Sequence, residues 1–225
     1  MKLDEYKKCF LTGDWHTHST FSDGRNQPEE IVETAINLGL QLIAITDHVN
    51  VDSGWLDDFV LELSRLKSKY GNKIKVLSGI ETKIVDLNGA VDARPDFFDK
   101  VDIVLAAFHR VPTANEFMHK EDISKRKGEV LEYWHRAMLS VLKNPNVDII
   151  AHPTNLLHIY GIAIPFAMKK EIAKAANKNG LIFERNIKYK VPDEEFIRLL
   201  EANNVAMVMG SDAHNIEEMV ELHGK

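Results

Sequence analysis

Seven short apolar runs recur along the chain, at Phe10 to His16, Leu42 to Thr46, Lys75 to Gly79, Val101 to Ala107, Val147 to Ala151, Gly180 to Glu184 and Val205 to Gly210. Short, continuously apolar runs of this kind read as parallel strands buried on both faces. Between them, Pro28 to Leu38, Trp55 to Tyr70, Ile123 to Leu142, Pro165 to Asn179 and Asp193 to Asn203 carry apolar residues every three or four positions, as in Ile31, Ala35 and Leu38, which predicts helices. Pro28 suits a first helical position, Gly39 and Gly180 suit C-terminal stops, and Pro192-Asp193 reads as a start signal. Such alternation implies parallel βαβ units, arranged as an open doubly wound sheet or a closed barrel. Neither Gly-x-Gly-x-x-Gly nor Gly-x-x-x-x-Gly-Lys-Ser/Thr occurs, so nucleotide-binding folds lose their main support. The 225 residues suffice for one α/β barrel, and residues 1–225 are expected to form a single domain.

Charge narrows the partners. With 28 Lys plus Arg against 34 Asp plus Glu, the formal charge of −6 argues against broad binding to nucleic acid or an anionic membrane. No apolar run reaches the roughly 18 residues of a membrane span. Cys9 has no second cysteine to pair with, and Met1 to Lys8 is too charged to lead a signal peptide, so a cytoplasmic address is expected.

The chemistry lies at the strand ends. In an extended chain residues two apart point the same way, so His16 and His18 can offer imidazoles to one metal ion. Chance alone gives about 0.4 such pairs in a chain with 10 histidines, so the pair needs support. Support comes from Asp47-His48, Glu81, His109, His152, Glu184 and Asp212-Ala213-His214, each just past a predicted strand, where a barrel builds its active site. Asp23 adds a further carboxylate, whereas His119, His135, His158 and His223 lie apart and are expected to be structural or on the surface. Nine nitrogen and oxygen donors without cysteine exceed one ordinary metal site. Two or three ions are implied, and the mixed imidazole and carboxylate set suits zinc, manganese or iron better than calcium.

The motifs His16-Thr17-His18, Ser22-Asp23-Gly24, Thr46-Asp47-His48, Gly79-Ile80-Glu81, His109, Ala151-His152-Pro153 and Ser211-Asp212-Ala213-His214 resemble, in this order, the PHP (polymerase and histidinol phosphatase) superfamily. The stretch Asn144 to Thr154 looks most like the PHP domain attached to bacterial family X DNA polymerases, although no polymerase domain accompanies it here. The resemblance implies an α/β fold, a distorted, TIM-barrel-like (β/α)7 barrel with a metal site at the C-terminal ends of its strands. It implies three divalent metal ions (Zn, Mn or Fe): one on His16, His18, Glu81 and Asp212, one sharing Glu81 and adding His109 and His152, and one on Asp23, His48 and His214. Asp23 stands where some relatives carry histidine, and Arg185 interrupts the Glu184 and Asn186 that relatives often show. Only eleven residues follow His214, so the last helix is expected to be short.

The implied activity is hydrolysis of phosphate esters by a metal-activated hydroxide, with His16, His18, Glu81, His109, His152 and Asp212 as the catalytic set. Arg110, Arg185 and Lys83 are candidates to clamp the phosphate, and Asp47 and Asp14 to orient neighbouring imidazoles. Candidate substrates are a small phosphorylated molecule, such as histidinol phosphate or a nucleotide, or a nucleic-acid 3′ end. Phe21, Trp55, Phe108, Phe117 and Tyr160 are placed to wall such a site. Two alternatives are an amidohydrolase-type C–N hydrolase, disfavoured because Glu81 stands where those enzymes use a carbamylated lysine, and a non-catalytic metal-stabilised interaction domain.

Overall fold

The computed structural model describes residues 3–114 and 116–224. Seven parallel strands follow one another in space as in sequence: β1 (Asp14–Thr17), β2 (Leu42–Val49), β3 (Lys75–Lys83), β4 (Ile103–Ala107), β5 (Ile149–Ile150), β6 (Ile182–Asn186) and β7 (Met207–Gly210). The last returns to the first. Asp212 N donates to His16 O at 2.8 Å and His18 N to Ala213 O at 3.0 Å, so the sheet curls into a nearly closed barrel. Around it lie α1 (Pro28–Asn37), α2 (Leu56–Tyr70), α3 (Lys120–Ile123), α4 (Lys127–Val141), α5 (Asn155–Ile159), α6 (Phe166–Asn179), α7 (Glu194–Ala202) and α8 (Ile216–His223). The distorted (β/α)7 barrel expected from the sequence is therefore the fold, and the open-sheet alternative is set aside. Among the described residues no helix is long and apolar enough to cross a membrane.

The two-residue period of the strands divides the apolar residues between two regions. Leu42, Ala44, Leu77, Leu105, Ile182 and Val208 fill the barrel interior. The alternating Ile43, Ile45, Val76 and Ile80 face outward and are covered by Phe59, Leu63 and Leu66 of α2. On the opposite side Ala106, Ile150 and Phe183 are covered by Trp134, Ile172 and Leu200 from α4, α6 and α7. Burying each such large side chain contributes about 1.5–3 kcal/mol. The local signals act as read: α6 stops at Gly180 with φ +72°, and Asp193 caps α7 by accepting from Phe196 N at 2.8 Å.

Three expectations need correction. Phe10 is not in a strand: Asp4–Cys9 form a 3-10 helix, and Phe10 packs edge-on against Trp15 at 5.3 Å, closing the base of the barrel. Its hydrophobicity serves as a plug rather than as ladder pairing. The helix expected over Ile123 to Leu142 is broken between α3 and α4, because Ser124 to Glu129 offers no apolar side chain to the core and Arg126 leaves the helical region at φ −120°. Finally, β2 and β3 run three and four residues past their expected ends at Thr46 and Gly79. The strands themselves thus carry His48 and Glu81.

Candidate metal centre

On β2, β3, β4 and β7 the inward face is apolar at the base and donor-bearing at the top. Counting by twos gives Ala44, Thr46, His48 on β2, Leu77, Gly79, Glu81 on β3, Leu105, Ala107, His109 from β4, and Val208, Gly210, Asp212 from β7. One periodicity therefore builds both the core and the site. His152 and Asp212 leave their strands with φ of +27° and +53°, in the left-handed region that disfavours non-glycine residues. Strain of this kind collects where a side chain is needed for function.

His16, His18 and Glu81 are buried and Asp212 nearly so, and their donor atoms face one another. His16 Nε2 lies 3.0 Å from His18 Nε2, 3.6 Å from Glu81 Oε2 and 3.7 Å from Asp212 Oδ1; His18 Nε2 lies 3.7 Å from Glu81 Oε2 and 3.1 Å from Asp212 Oδ1. Tetrahedral ligation at about 2.0–2.1 Å requires donor separations of roughly 3.3 Å, so these edges match a cation's coordination shell. The other carboxylate oxygen, Glu81 Oε1, lies 3.0 Å from His152 Nε2 and 3.3 Å from His109 Nε2. Asp23 reaches His48 Nε2 at 3.6 Å and His214 Nε2 at 3.4 Å, and His18 lies within reach of the same three residues. His48 belongs to two groupings, because its Nδ1 is 2.7 Å from Glu81 Oε2. All nine residues singled out in the sequence as donors are thus brought to one mouth.

Electrostatics support cation binding. Burial opposes charge on His16, but Glu184, Glu81 and Asp212 outweigh it and hold the imidazolium well above its ordinary range. Burial likewise opposes the Glu81 carboxylate and loses to His109, His16 and His152, leaving Glu81 well below the usual range; Asp212 is lowered in the same manner, against burial, by His16 and His18. Burial, helped by His16 and His48, pushes His18 down, so this imidazole favours the neutral form that ligates metal. Within this cluster, His18 Nδ1 and His152 Nδ1 find no hydrogen-bond partner among the described residues, and Glu81 Oε2 has none of good geometry although His48 Nδ1 lies 2.7 Å away. Unpaired buried polar atoms are costly. A cation held by these donors would satisfy Glu81 Oε2, and a mixed imidazole and carboxylate set suits a divalent metal such as zinc.

Several supporting residues differ from expectation. Asp47 orients no imidazole; it accepts from Ser19 N at 2.8 Å, Ser19 Oγ at 2.6 Å and Ser22 Oγ at 2.5 Å, fixing the loop that carries Asp23. Asp14 faces His223 Nε2 at 2.8 Å and accepts from Ser211 N at 2.9 Å and from His16 N at 3.2 Å, tying β1 to α8 and to the segment after β7, so the imidazole it meets is that of His223 and not that of His16 or His18. His223 is therefore not isolated. The carboxylate that holds His16 is Glu184, whose Oε1 meets His16 Nδ1 at 2.9 Å and accepts from Asn186 Nδ2 at 3.1 Å, while Oε2 accepts from His152 N. His119 and His158 are exposed, and His135 pairs with Glu171 at 3.3 Å, all away from the mouth.

The three proposed phosphate clamps are placed differently from one another. Arg185 sits between inward-facing Glu184 and Asn186, so the strand period turns it outward to Glu194 at 3.5 Å, and it does not reach the site. Lys83 lines a 290 Å³ cavity with His48, Glu81 and His109, and pairs with Asp92 at 3.7 Å. Arg110 stacks on Phe117 at 4.6 Å, with Lys83 5.9 Å from the same ring. Phe108 lines a second cavity, of 220 Å³, with His48, His109, His152, Asn155, Leu156, Ile159, Tyr189, Asp212 and His214. Phe21 and Trp55 instead pack with Phe59, and Tyr160 packs against the outer core. Tyr189 was not foreseen, since nothing in its local sequence marks it.

Comparison with known proteins gives the same picture. The pattern of the PHP domain matches residues 14–189, which span β1 to the turn after β6. The chain belongs to the PHP domain family. Over 218 residues it is 32% identical to the DNA polymerase/3′-5′ exonuclease PolX of Bacillus subtilis, covering 92% of this chain but only 35% of that protein. It is 30% identical to a protein named Probable phosphatase from Acetivibrio thermocellus, covering 89% of this chain and 78% of the relative. In fold it superimposes on a candidate histidinol phosphatase of Listeria monocytogenes with a TM-score of 0.73 at 16% identity, covering 92% of this chain and 96% of the other. It also superimposes on the Lactococcus lactis histidinol phosphate phosphatase, solved with Zn, L-histidinol and phosphate, with a TM-score of 0.63 at 22% identity over 95% of this chain and 93% of the other. PHP membership and the converging donors make this chain a phosphoesterase of that family.

Proposed function

We propose that this PHP-family chain hydrolyses small phosphomonoesters with three divalent cations held at the barrel mouth. His16, His18, Glu81 and Asp212 hold one, Glu81 with His109 and His152 a second, and Asp23, His48 and His214 a third, all of zinc, manganese or iron. Divalent cations, when bound, supply Lewis-acid chemistry, acidifying water and offsetting charge on phosphate oxygens. Glu81 would serve both of the first two positions, since its Oε2 faces His16 and His18 while its Oε1 faces His109 and His152. Glu184 holds His16 in the tautomer with its Nε2 free to ligate, and Asp47 anchors the loop bearing Asp23.

The observation that carries the small-substrate reading is the 220 Å³ cavity directly over the donors. Pockets for drug-sized ligands run from about 300 to 1,000 Å³, so this one suits a phosphoryl group on a small alcohol, with Phe108, Leu156 and Ile159 as apolar walls. The second reading, a 3′-end exonuclease, is favoured by the PolX relative and by Arg110 and Lys83 around Phe117 at the rim. Against a C–N hydrolase, Glu81 takes the shared position; against a non-catalytic module, every matched position retains a competent ligand. The test is hydrolysis by metal-reconstituted protein of p-nitrophenyl phosphate, histidinol phosphate, mononucleotides and a single-stranded oligonucleotide, each with and without chelator. Chelator-sensitive cleavage of a small monoester at higher efficiency than the oligonucleotide is the expected result. Cleavage of none by metal-replete protein refutes the catalytic reading.

A further inference from the structure

The turn after β6 is tied to the donor residues at successive positions. Ile187 N donates to Gly210 O at 2.9 Å, Lys188 Nζ to Asp212 O at 3.2 Å and to Glu218 Oε2 at 3.1 Å, and Tyr189 N to Asn186 Oδ1 at 2.9 Å. Asn186 in turn donates to Glu184, the carboxylate that holds His16. Lys190 completes the turn with φ +55°. A turn fixed from both sides sets the position of its side chains as firmly as a strand would.

That turn delivers Tyr189 to the wall of the 220 Å³ cavity. Its ring stands edge-on to His152 with centroids 5.9 Å apart, and it shares the cavity wall with Asp212. The other groups facing the space are of three kinds. His48, His109, His152, Asp212 and His214 are cation donors, and an imidazole nitrogen that ligates a metal has no hydrogen to give. Phe108, Leu156 and Ile159 have no polar hydrogen at all, Asn155 brings a side-chain amide from the start of α5, and Arg110 and Arg185 do not line this cavity. A phosphoryl group here has more oxygens than cations can cover, and the uncovered ones need a hydrogen-bond donor.

We propose that the Tyr189 hydroxyl is one such donor, directed to a non-bridging oxygen of the bound phosphoryl group. The inference rests on the phosphoester reading above, and it makes Tyr189 a substrate-binding residue. A phenol stays protonated at neutral pH and adds no charge near the cations.

The test compares wild type and Tyr189→Phe, both metal-loaded, by calorimetric titration with inorganic phosphate. Metal affinity is measured in parallel by competition with a chelator, and folding by Tm. The variant is expected to bind phosphate about ten- to hundredfold more weakly, and to raise KM for a small monoester, with metal affinity and Tm unchanged. Unchanged phosphate affinity overturns the proposal. So does a loss of phosphate affinity matched by an equal loss of metal affinity, since Tyr189 then acts only by positioning Asp212. If wild type binds phosphate but cleaves no ester, and the variant binds it more weakly, the hydrolase reading fails and the role of Tyr189 stands. If wild type binds no phosphate, both fall.

Discussion

Replacing Glu184 by glutamine changes one heavy atom and should disable the first cation position. The carboxylate is fully buried and takes three hydrogen-bonding groups, with His16 Nδ1 at 2.9 Å and Asn186 Nδ2 at 3.1 Å on Oε1, and His152 N on Oε2. An amide can accept on one side only. Whichever way it is turned, its NH2 faces a donor, and leaving a buried N–H unsatisfied costs about 1–3 kcal/mol. The same change removes the negative charge behind the His16 imidazole, and loss of such a supporting partner typically weakens metal binding about 10- to 100-fold. Glu184→Gln should therefore lower the unfolding free energy of the metal-free protein by about 1–3 kcal/mol, read by denaturant titration. It should also weaken zinc binding about 10- to 100-fold, read by chelator competition. Lost stability with unchanged zinc affinity would show that Glu184 only packs the barrel, refuting the role given to it.

Three further outcomes follow from the same geometry. Gly210→Ala places a Cβ in collision with Glu184 Oε1 and 2.9 Å from His16 Cβ, so it should destabilise the fold by about 1–3 kcal/mol and reduce metal content, read by Tm and elemental analysis. Gly128→Ala, in α4 with open space around it, should instead raise stability by about 0.4–1 kcal/mol, giving a control for the same assay. Glu29 joins α1 to Lys69, Arg65 and Tyr70 of α2, whose hydrogen bonds bring its carboxyl down from 4.5 to about 2. A depressed carboxyl contributes stability above pH 4.5 that is lost as pH falls towards 2; because the pairs are largely solvated, Glu29→Gln should cost no more than about 1 kcal/mol at pH 7. That difference should vanish in unfolding curves recorded near pH 2, and a difference independent of pH would contradict the ion-pair account.

Much of the site was legible because one rule, the two-residue period of a buried strand, governs both packing and ligand placement. His16 with His18, and the donors after each apolar run, needed only that rule and the polarity of a barrel. The same rule, applied to Glu184-Arg185-Asn186, turns Arg185 outward; treating the arginine as a charge near a site rather than as a strand position misplaced it. Partnerships across the barrel were not legible. His16 and Glu184 are 168 positions apart, and Asp14 meets His223 only because α8 folds back on β1. Phe10 read as strand because a plug and a ladder residue are equally apolar. Tyr189 sits in a turn whose shape is set by Gly210, Asp212 and Asn186, none of them its near neighbour except the last.

The most direct test is a crystal grown with zinc and measured at the zinc absorption edge, so that anomalous scattering locates the ions without reference to the protein. Strong peaks within bonding reach of His16, His18, Glu81 and Asp212, and of Glu81, His109 and His152, are the expected result, with a further peak at Asp23, His48 and His214. A well-ordered barrel with no peak beside Glu81 would contradict the account.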